Sequence, residues 1–355
     1  MRIAIDCRMS GKSGIGTFLD ESLPAILDSE HQFVLFGNKS RRISRANVQY
    51  IDCSTKTFSL SELMFFPKTL LNAINSCDVY FSPYCNIPGG IKIPVYTTIH
   101  DIVFLDIPSL AGFIGTMARK WFYKRAIRLS REIFTVSNFS RNRIMEKLGC
   151  RKKINVVYSG IPAYIEKEIP STKKTDSILF IGNIKKHKGL SILIKAYERF
   201  CINFQIASMD PPTLLIVGAQ ENFRTRDKEV IKSIDSLNKT FSSPVKFSGF
   251  VDDECLHVLL KQAKVLVQPS LYEGFGVPPL MAITCGTKAL ISDIPVFKEI
   301  YENLPVTFFE SGNPDDLAEK LFKIYHDESE IPPFSHNLTY ENTGHLILKT
   351  ITSKN

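Results

Sequence analysis

Short runs of β-branched and aromatic residues alternate along the chain with longer stretches whose apolar residues recur at helical spacing. Such alternation is typical of parallel sheets covered by helices on both faces. Strands are predicted at 2–7, 32–37, 48–53, 78–83, 95–100, 132–137, 154–160, 177–183, 213–219, 245–250, 264–270, 287–293 and 305–310. Helices are predicted at 59–76, 113–130, 189–204, 226–238, 253–263 and 314–326.

A stretch rich in proline and charge, "IPAYIEKEIPSTKKTD" at 161–176, interrupts this alternation. We therefore predict two Rossmann-like, doubly wound α/β domains, 1–162 and 163–335. A further helix is predicted within 336–355, and we expect it to pack back on the first domain. Open parallel sheets bind ligands beyond the carboxyl ends of their strands, so two facing sheets would place an active site in the cleft between them.

Composition and charge narrow the class of protein. The 355 residues are 44% apolar and 23% charged, which is near the average of globular proteins. No apolar run reaches the roughly 18–20 residues of a membrane-spanning helix, and the N-terminus lacks the pattern of a signal peptide. These features predict a cytoplasmic protein. The net charge of +8 suggests an anionic partner.

The eight cysteines are scattered singly, without the spacing of a zinc site. We expect reduced, structural thiols and no bound metal.

Three glycines, Gly11, Gly14 and Gly16, follow the first predicted strand, and a helix is predicted to begin near Thr17. Glycine lets a ligand approach the backbone, and a helix N-terminus attracts anions. The spacing matches neither a P-loop nor a dinucleotide-binding fingerprint. An anion-binding turn and an ordinary strand–helix turn both remain open.

The second predicted domain opens in a similar way. Strand 177–183 ends at Asn183, and Lys185, Lys186, His187 and Lys188 follow before a glycine. Lysines at this position can neutralise a diphosphate beside a helix N-terminus. A merely solvated charged face is the alternative.

The stretch "LYEGFGVPPL" at 271–280 follows strand 264–270. Proline is tolerated in the first turn of a helix, so a helix is predicted from Pro278. Glu273 then lies at the strand end, where a carboxylate can accept hydrogen bonds from sugar hydroxyls, and the neighbouring glycine backbone can meet an anion. A loop glutamate in solvent is the alternative.

His100 and Asp101, in "TTIHDIVFL", follow another predicted strand. A histidine there can bind a substrate or move a proton, with the aspartate orienting it. A structural cap of the strand end explains the pair equally well.

With these residues in hand, the chain resembles glycosyltransferase family 4, the retaining nucleotide-sugar transferases of GT-B fold. The resemblance runs almost from end to end, and its most specific block is 264–286. The beginning "IDCRM" and the "HD" after the fifth strand resemble bacterial mannosyltransferases that build O-antigen or capsule. The other segments that carry the resemblance are "VSNFSRNRI", "VVYSGI", "FIGNIKKHKGLSILIKAY", "VKFSGFVDDECL", "VLVQPSLYEGFGVPPL" and "NPDDLAEKL".

The resemblance implies roles for individual residues. It makes the first domain the acceptor side and the second the donor-binding side. The implied catalytic residues are Glu273, which touches the transferred sugar, His100, which faces it, and Lys188, which binds the diphosphate. The implied donor-binding residues are Gly14, Gly16, Asn183, Lys185, Gly274, Phe275, Gly276, Val277 and Met281.

Two positions depart from the family pattern. Asn183 stands where the family usually has Arg or Lys, although Lys185 and Lys186 could compensate. Met281 stands eight residues after Glu273, where the family usually has a second Glu that binds the ribose hydroxyls. A thioether cannot replace that acceptor, and a lost charged hydrogen bond commonly costs about 1.5–3 kcal/mol. Met281 therefore predicts altered donor choice, weak binding or lost activity.

The resemblance also implies the chemistry. Transfer would retain the anomeric configuration by front-face attack of the acceptor hydroxyl, without a metal or cofactor. The expected co-substrate is a GDP- or UDP-linked hexose, and mannose is the hexose that the resemblance favours. An epimerase or phosphorylase on the same fold, or an inactive binding subunit, are the alternatives.

Residues 113–131 combine large apolar side chains with six basic residues. The basic residues Lys120, Lys124 and Arg128 fall at helical spacing beside Trp121. We interpret this stripe as a docking surface for the anionic inner face of the cell membrane, where a polyprenyl-diphosphate-linked glycan acceptor would lie. A core-packed helix with a solvated basic face is the alternative. Nucleic-acid binding is not expected, because no known module is present.

Overall fold

A computed structural model describes residues 1–170, 172–182, 185–218, 228–241 and 244–353. The chain forms two compact units. The first unit comprises Met1–Pro162 together with Asn337–Asn355, and the second comprises Ala163–His336.

The described residues contain thirteen strands, one for each predicted strand, so the α/β prediction is confirmed. Most of the observed strands are shorter than predicted at one or both ends. The strands are β1 (Arg2–Cys7), β2 (Gln32–Gly37), β3 (Val48–Asp52), β4 (Val79–Ser82), β5 (Val95–Thr98), β6 (Ser130–Thr135), β7 (Ile154–Val156), β8 (Ser177–Ile181), β9 (Thr213–Val217), β10 (Val245–Gly249), β11 (Val265–Gln268), β12 (Lys288–Ser292) and β13 (Thr307–Phe309).

Helices cover these strands. Over the described residues they are α1 (Ser13–Leu27), α2 (Leu60–Met64), α3 (Lys68–Asn75), α4 (Val103–Asp106), α5 (Gly112–Leu129), α6 (Asn138–Leu148), α7 (Leu190–Ile206), α8 (Lys228–Thr240), α9 (Asp253–Gln262), α10 (Pro278–Thr284), α11 (Pro295–Tyr301), α12 (Pro314–His326) and α13 (Tyr340–Thr352).

Two helix predictions need correction. The single helix predicted over 59–76 is two helices, α2 and α3, because Pro67 restricts the residue before it to extended backbone. Helix α1 begins at Ser13 and not near Thr17, so Gly14 and Gly16 lie in its first turn. A Cβ at Gly16 would lie 2.4 Å from the carbonyl oxygen of Met9. Glycine at this position therefore permits close packing of α1 on the preceding loop.

Both sheets are parallel and doubly wound. The first has the strand order β3-β2-β1-β4-β5-β6-β7, and the second has β10-β9-β8-β11-β12-β13. The order reverses next to β1 in the first sheet and next to β8 in the second. These reversals are the topological switch points, where the segments after two neighbouring strands diverge and leave a crevice.

Each unit buries its own apolar core. In the second unit, α7 and α12 cover β8, β9 and β11 with side chains such as Phe180, Tyr197 and Phe200. In the first unit, α13 packs against α1, where a Cβ at Gly344 would lie 2.5 Å from the carbonyl oxygen of Ser22. The C-terminal helix is therefore an integral layer of the first unit.

A buried ionic network lies at the switch point of the first sheet. Arg8, which is 2% exposed, lies 2.5 Å from carboxylate oxygens of both Asp6 and Glu62. It also donates to the Tyr84 hydroxyl at 2.6 Å, and its guanidinium lies 5.1 Å from the centre of the Phe66 ring. Burial raises the pKa of the Glu62 carboxyl, although the charge of Arg8 opposes this shift. Removing the arginine would leave both carboxylates buried without a cation, which is strongly destabilising.

Across the ranges that the structure describes, no helix is both long and apolar enough to cross a membrane. The same residues contain no group of three or more His, Cys, Asp and Glu side chains suited to a metal ion.

Candidate functional site

The switch point of the second sheet brings two distant segments together. β8 and β11 pair directly, with Ile178 opposite Val265, so the residues that follow them share one edge of the sheet. The amide of Leu271 donates to the carbonyl oxygen of His187 at 2.8 Å. Gly189 has a φ of +69°, and a Cβ there would lie 1.8 Å from the carbonyl oxygen of Pro269. Only glycine permits this close approach.

That approach pairs two of the predicted site residues, Lys188 and Glu273. The Lys188 Nζ atom lies 2.7 Å from both carboxylate oxygens of Glu273. Ser270 donates a hydrogen bond of 2.8 Å to Glu273 Oε1, and Gln268 donates in turn to Ser270 at 3.1 Å. Glu273 is only 8% exposed, so the interpretation as a solvated loop glutamate is wrong. Open parallel sheets bind ligands at the switch point, so this pair lies where a binding site is expected.

Three neighbours of this pair were not singled out as site residues from the sequence: Gln268, Ser270 and His187. Alternate polar residues at 268 and 270, at the end of an apolar strand, are the signal that could have found the first two. His187 is buried, and within the described part of the chain its Nδ1 atom has no hydrogen-bond partner. Burial, together with the charge of Lys188, lowers the pKa of His187 to about 4. The imidazole is therefore neutral at physiological pH.

The backbone of 274–277 takes a shape that requires glycine at Gly276. Its φ is +85°, and a Cβ there would lie 2.4 Å from Phe297 Cε1. The hydroxyl of Tyr301 donates to the Gly276 carbonyl oxygen. Gly274 and Phe275 are buried, and Val277 precedes the first turn of α10.

We expect Gly276→Ala to destabilise the protein more than Gly286→Ala does. Both glycines have positive φ, which costs other residues about 1–2 kcal/mol, but nothing lies within 4 Å of a Cβ at Gly286. The difference between the two free energies of unfolding, measured by urea denaturation, isolates the clash with Phe297. Equal effects would mean that the aromatic ring moves aside freely.

The other predicted donor-binding residues have different surroundings. Met281 is buried in α10. Its thioether is therefore packed in the interior. At this sequence position the family usually has the acid that binds the ribose. Lys185 is exposed and precedes a short 3₁₀ turn that holds Lys188. Asn183 lies outside the described residues.

In the first unit, His100 follows β5 and contacts α1. Its ring lies edge-to-face against Phe18, with 4.8 Å between centroids. Its Nε2 atom is 2.8 Å from the Pro83 carbonyl oxygen, which can only accept, so Nε2 carries the proton and Nδ1 is the acceptor. Burial lowers the pKa of His100, which keeps it neutral. Asp101 accepts a hydrogen bond from the Val103 amide, as a turn cap does.

Helix α5 holds the predicted membrane-facing residues. It packs inward through Tyr123 and Ala126, while Lys124 and Arg128 are exposed and Lys120 is half-buried. Its large apolar residues also face solvent: Phe113, Ile114, Met117 and Trp121 are all more than half exposed. The alternative of a core-packed helix with a solvated basic face therefore agrees with the buried Tyr123 and Ala126, but not with these four exposed apolar side chains.

Two family models match the chain. The model described as "Glycosyl transferases group 1" matches residues 164–343, and the model described as "Glycosyltransferase Family 4" matches residues 13–163. The first of these covers half of the chain and contains the Lys188–Glu273 pair.

Two curated glycosyltransferases are similar to this chain in sequence. O-antigen chain mannosyltransferase RfbU of Salmonella typhimurium is 28% identical over 62% of this chain, and O-antigen chain mannosyltransferase B of Escherichia coli is 25% identical over 71%. These alignments span 56% and 66% of the relatives' own lengths.

The fold is similar to that of solved glycosyltransferases. Sucrose-phosphate synthase of Thermosynechococcus elongatus has a TM-score of 0.70 at 14% identity, covering 99% of this chain and 94% of that one. Anabaena HepE, solved in complex with UDP and glucose, has a TM-score of 0.67 at 16% identity, covering 99% and 95%. Together with the two doubly wound sheets, these similarities show the GT-B fold. The chain thus belongs to the glycosyl transferases of group 1, with a family 4 glycosyltransferase N-terminal half.

Proposed function

We propose that this protein is a retaining glycosyltransferase that moves mannose from a GDP- or UDP-linked sugar to a growing O-antigen or capsule glycan. The observation that carries the proposal is the Lys188–Glu273 ion pair at the switch point of the second sheet. Its cation suits a diphosphate and its carboxylate suits sugar hydroxyls. The names of the mannosyltransferase relatives support the choice of sugar.

In the proposed reaction, an acceptor hydroxyl attacks the anomeric carbon on the face that the diphosphate leaves. The new glycosidic C–O bond forms as the bond to the diphosphate oxygen breaks, and the departing nucleoside diphosphate takes up the hydroxyl proton. Lys188 stabilises the negative charge that develops on the leaving group, and Glu273 positions the sugar. No nucleophile from the chain is required. The roles of Gly14, Gly16 and His100 in donor binding stay predictions from the family resemblance.

The acceptor in this proposal is a polyprenyl-diphosphate-linked glycan at the inner face of the cell membrane. The exposed apolar and basic side chains of α5 support this choice, because such a helix can lie at an anionic membrane surface. The protein would then work on the cytoplasmic side as a peripheral membrane protein.

One observation favours a second candidate, a binding subunit without transferase activity. Met281 buries a thioether where the family usually has its second acid, so the nucleoside loses an acceptor for its ribose. This candidate predicts that nucleotide sugars bind weakly and are not turned over.

Calorimetric titration with GDP, UDP, dTDP and CMP, followed by the sugar conjugates of the nucleotide that binds, tests the proposal. We expect micromolar binding of one nucleoside diphosphate and weaker binding of CMP, because in the proposed site Lys188 binds the diphosphate that CMP lacks. Release of that diphosphate in the presence of an acceptor then separates a transferase from a binding subunit. Binding of none of the four nucleotides would contradict the proposal.

A further inference from the structure

In the segment Phe58–Phe65 of the first unit, large apolar side chains are exposed and the acidic side chain is buried. Four large apolar side chains, Phe58, Leu60, Met64 and Phe65, are between 51% and 75% exposed. Folded proteins rarely leave so many large apolar residues exposed within one short segment unless the surface has a partner.

The buried side of the same segment is charged. Glu62 is fully buried and accepts hydrogen bonds from Arg8 at 2.5 Å and from the Phe58 amide at 2.9 Å. Its backbone carbonyl accepts from the Gly89 amide at 3.1 Å. Helix α2 is thus anchored through its one acid, and this anchor turns the apolar side chains outward.

Phe58 is also held with its side chain exposed. Its φ of +58° is strained for a bulky residue, yet the bond from its amide to Glu62 and the contact of its ring with Tyr84, 5.5 Å between centroids, hold it there. The exposed ring is therefore a held feature of the fold and not a frayed loop.

The charges around the segment favour an anionic partner. Lys56 and Lys68 flank it and are exposed. Between residues 53 and 77 the only acid is the buried Glu62. Within residues 53–77 the exposed charged side chains are therefore the two lysines, and exposed apolar side chains beside cations are typical of surfaces that enter the headgroup region of anionic bilayers.

Helix α5 borders the same part of the unit and has the same chemistry. Arg125 donates to the Ile87 carbonyl oxygen at 2.6 Å, in the loop that Glu62 contacts at Gly89. Ala126 of α5 and Phe66 belong to one apolar cluster with Ile87. Residues 107–131 contain no acid at all.

We propose that Phe58–Phe65 is a membrane-inserting element, which enters the interface of an anionic bilayer while α5 contributes cations beside it. The proposal extends the proposed function. It rests on that function only because a lipid-linked acceptor explains why the protein would meet a membrane. Leu60, Met64 and Phe65 enter the lipid, and Lys56 and Lys68 meet the headgroups.

Sedimentation with vesicles of phosphatidylcholine and phosphatidylglycerol tests the element. We expect the full chain to bind vesicles that contain phosphatidylglycerol, and L60S/M64Q/F65S to bind at least about tenfold more weakly. The matched control is I206S/M209Q, which removes two exposed apolar residues of the second unit. It should bind as the unchanged chain does. Circular dichroism and urea denaturation without vesicles show that each variant is folded.

Depth of insertion gives a second measurement. The chain has one tryptophan, so W121F/F65W moves the indole to the proposed element. Quenching of F65W fluorescence by brominated acyl chains supports insertion, and its absence in vesicle-bound protein overturns it. Equal vesicle binding by the triple variant and the unchanged chain also overturns the proposal. So does a dimer of the unchanged chain in solution that the triple variant does not form, because the segment would then be a contact between two copies of the chain. A failure of all nucleotides to bind would affect the proposed function and leave these results standing.

Discussion

Glu273→Gln is expected to bind a nucleoside diphosphate more tightly than the unchanged protein, and to transfer sugar more slowly. In the free protein Lys188 lies 2.7 Å from both oxygens of Glu273, so a diphosphate has to compete with that carboxylate. Glutamine removes the competing charge but also weakens the acceptor for the sugar hydroxyls. A hydrogen bond to a charged group contributes about 1.5–3 kcal/mol, so we expect transfer to fall by roughly 10–150-fold.

Two variants separate the parts of this result. Lys188→Met should weaken binding of the diphosphate and slow transfer together, because it removes the cation itself. Lys323→Met, which breaks an exposed pair with Glu319, should change neither. If Glu273→Gln weakens binding of the free diphosphate, the carboxylate does not compete with the diphosphate for Lys188. The expected tighter binding would then be wrong.

Arg8→Met is expected to lower the free energy of unfolding by about 3–5 kcal/mol, because it leaves Asp6 and Glu62 buried without their cation. Methionine keeps much of the volume beside Phe66, so lost packing accounts for little of this change. The matched control is Arg199→Met, whose pair with Asp315 is at the surface and should contribute under about 1 kcal/mol.

The pH dependence of the Arg8→Met result has a definite sign. Burial already raises the pKa of Glu62 above its usual value, and Arg8 opposes that shift. Without Arg8 the folded-state pKa rises further, so the folded state holds a proton that the unfolded chain has released, and stability falls as pH rises through that window. The gap between variant and unchanged protein should therefore be larger at pH 7 than near pH 5. A constant gap in urea denaturation would show that the carboxylates are not responsible.

Most of the fold could be predicted from local sequence. Buried parallel strands are apolar on both faces, so runs such as "SILFI" at 177–181 stand out from the polar turns around them. The ends of elements were less certain, because they depend on packing. The loop after β1 fits closely against α1 at Gly16, a contact between segments that the local pattern of 11–17 does not contain.

The candidate site was predicted as separate residues and not as a pair. Lys188 and Glu273 are 85 positions apart, and each stood out through its position after a strand. Only the strand order, with β8 beside β11, makes them neighbours. His187 and Ser270 were not assigned to the site for the same reason, since a buried polar atom is recognised by what surrounds it.

By itself, the sequence determined the strand–helix alternation, the family and the positions of the charged residues that follow strands, because each of these depends on local spacing. The tertiary structure alone decided which charges are paired and which apolar residues are exposed. Glu62 is the clearest case: an acid in a short amphipathic segment looks solvated, yet it is buried against Arg8 while Leu60 and Phe65 face outward. Its burial depends on Arg8 and Tyr84, which the segments after β1 and β4 bring to it and which no local pattern contains.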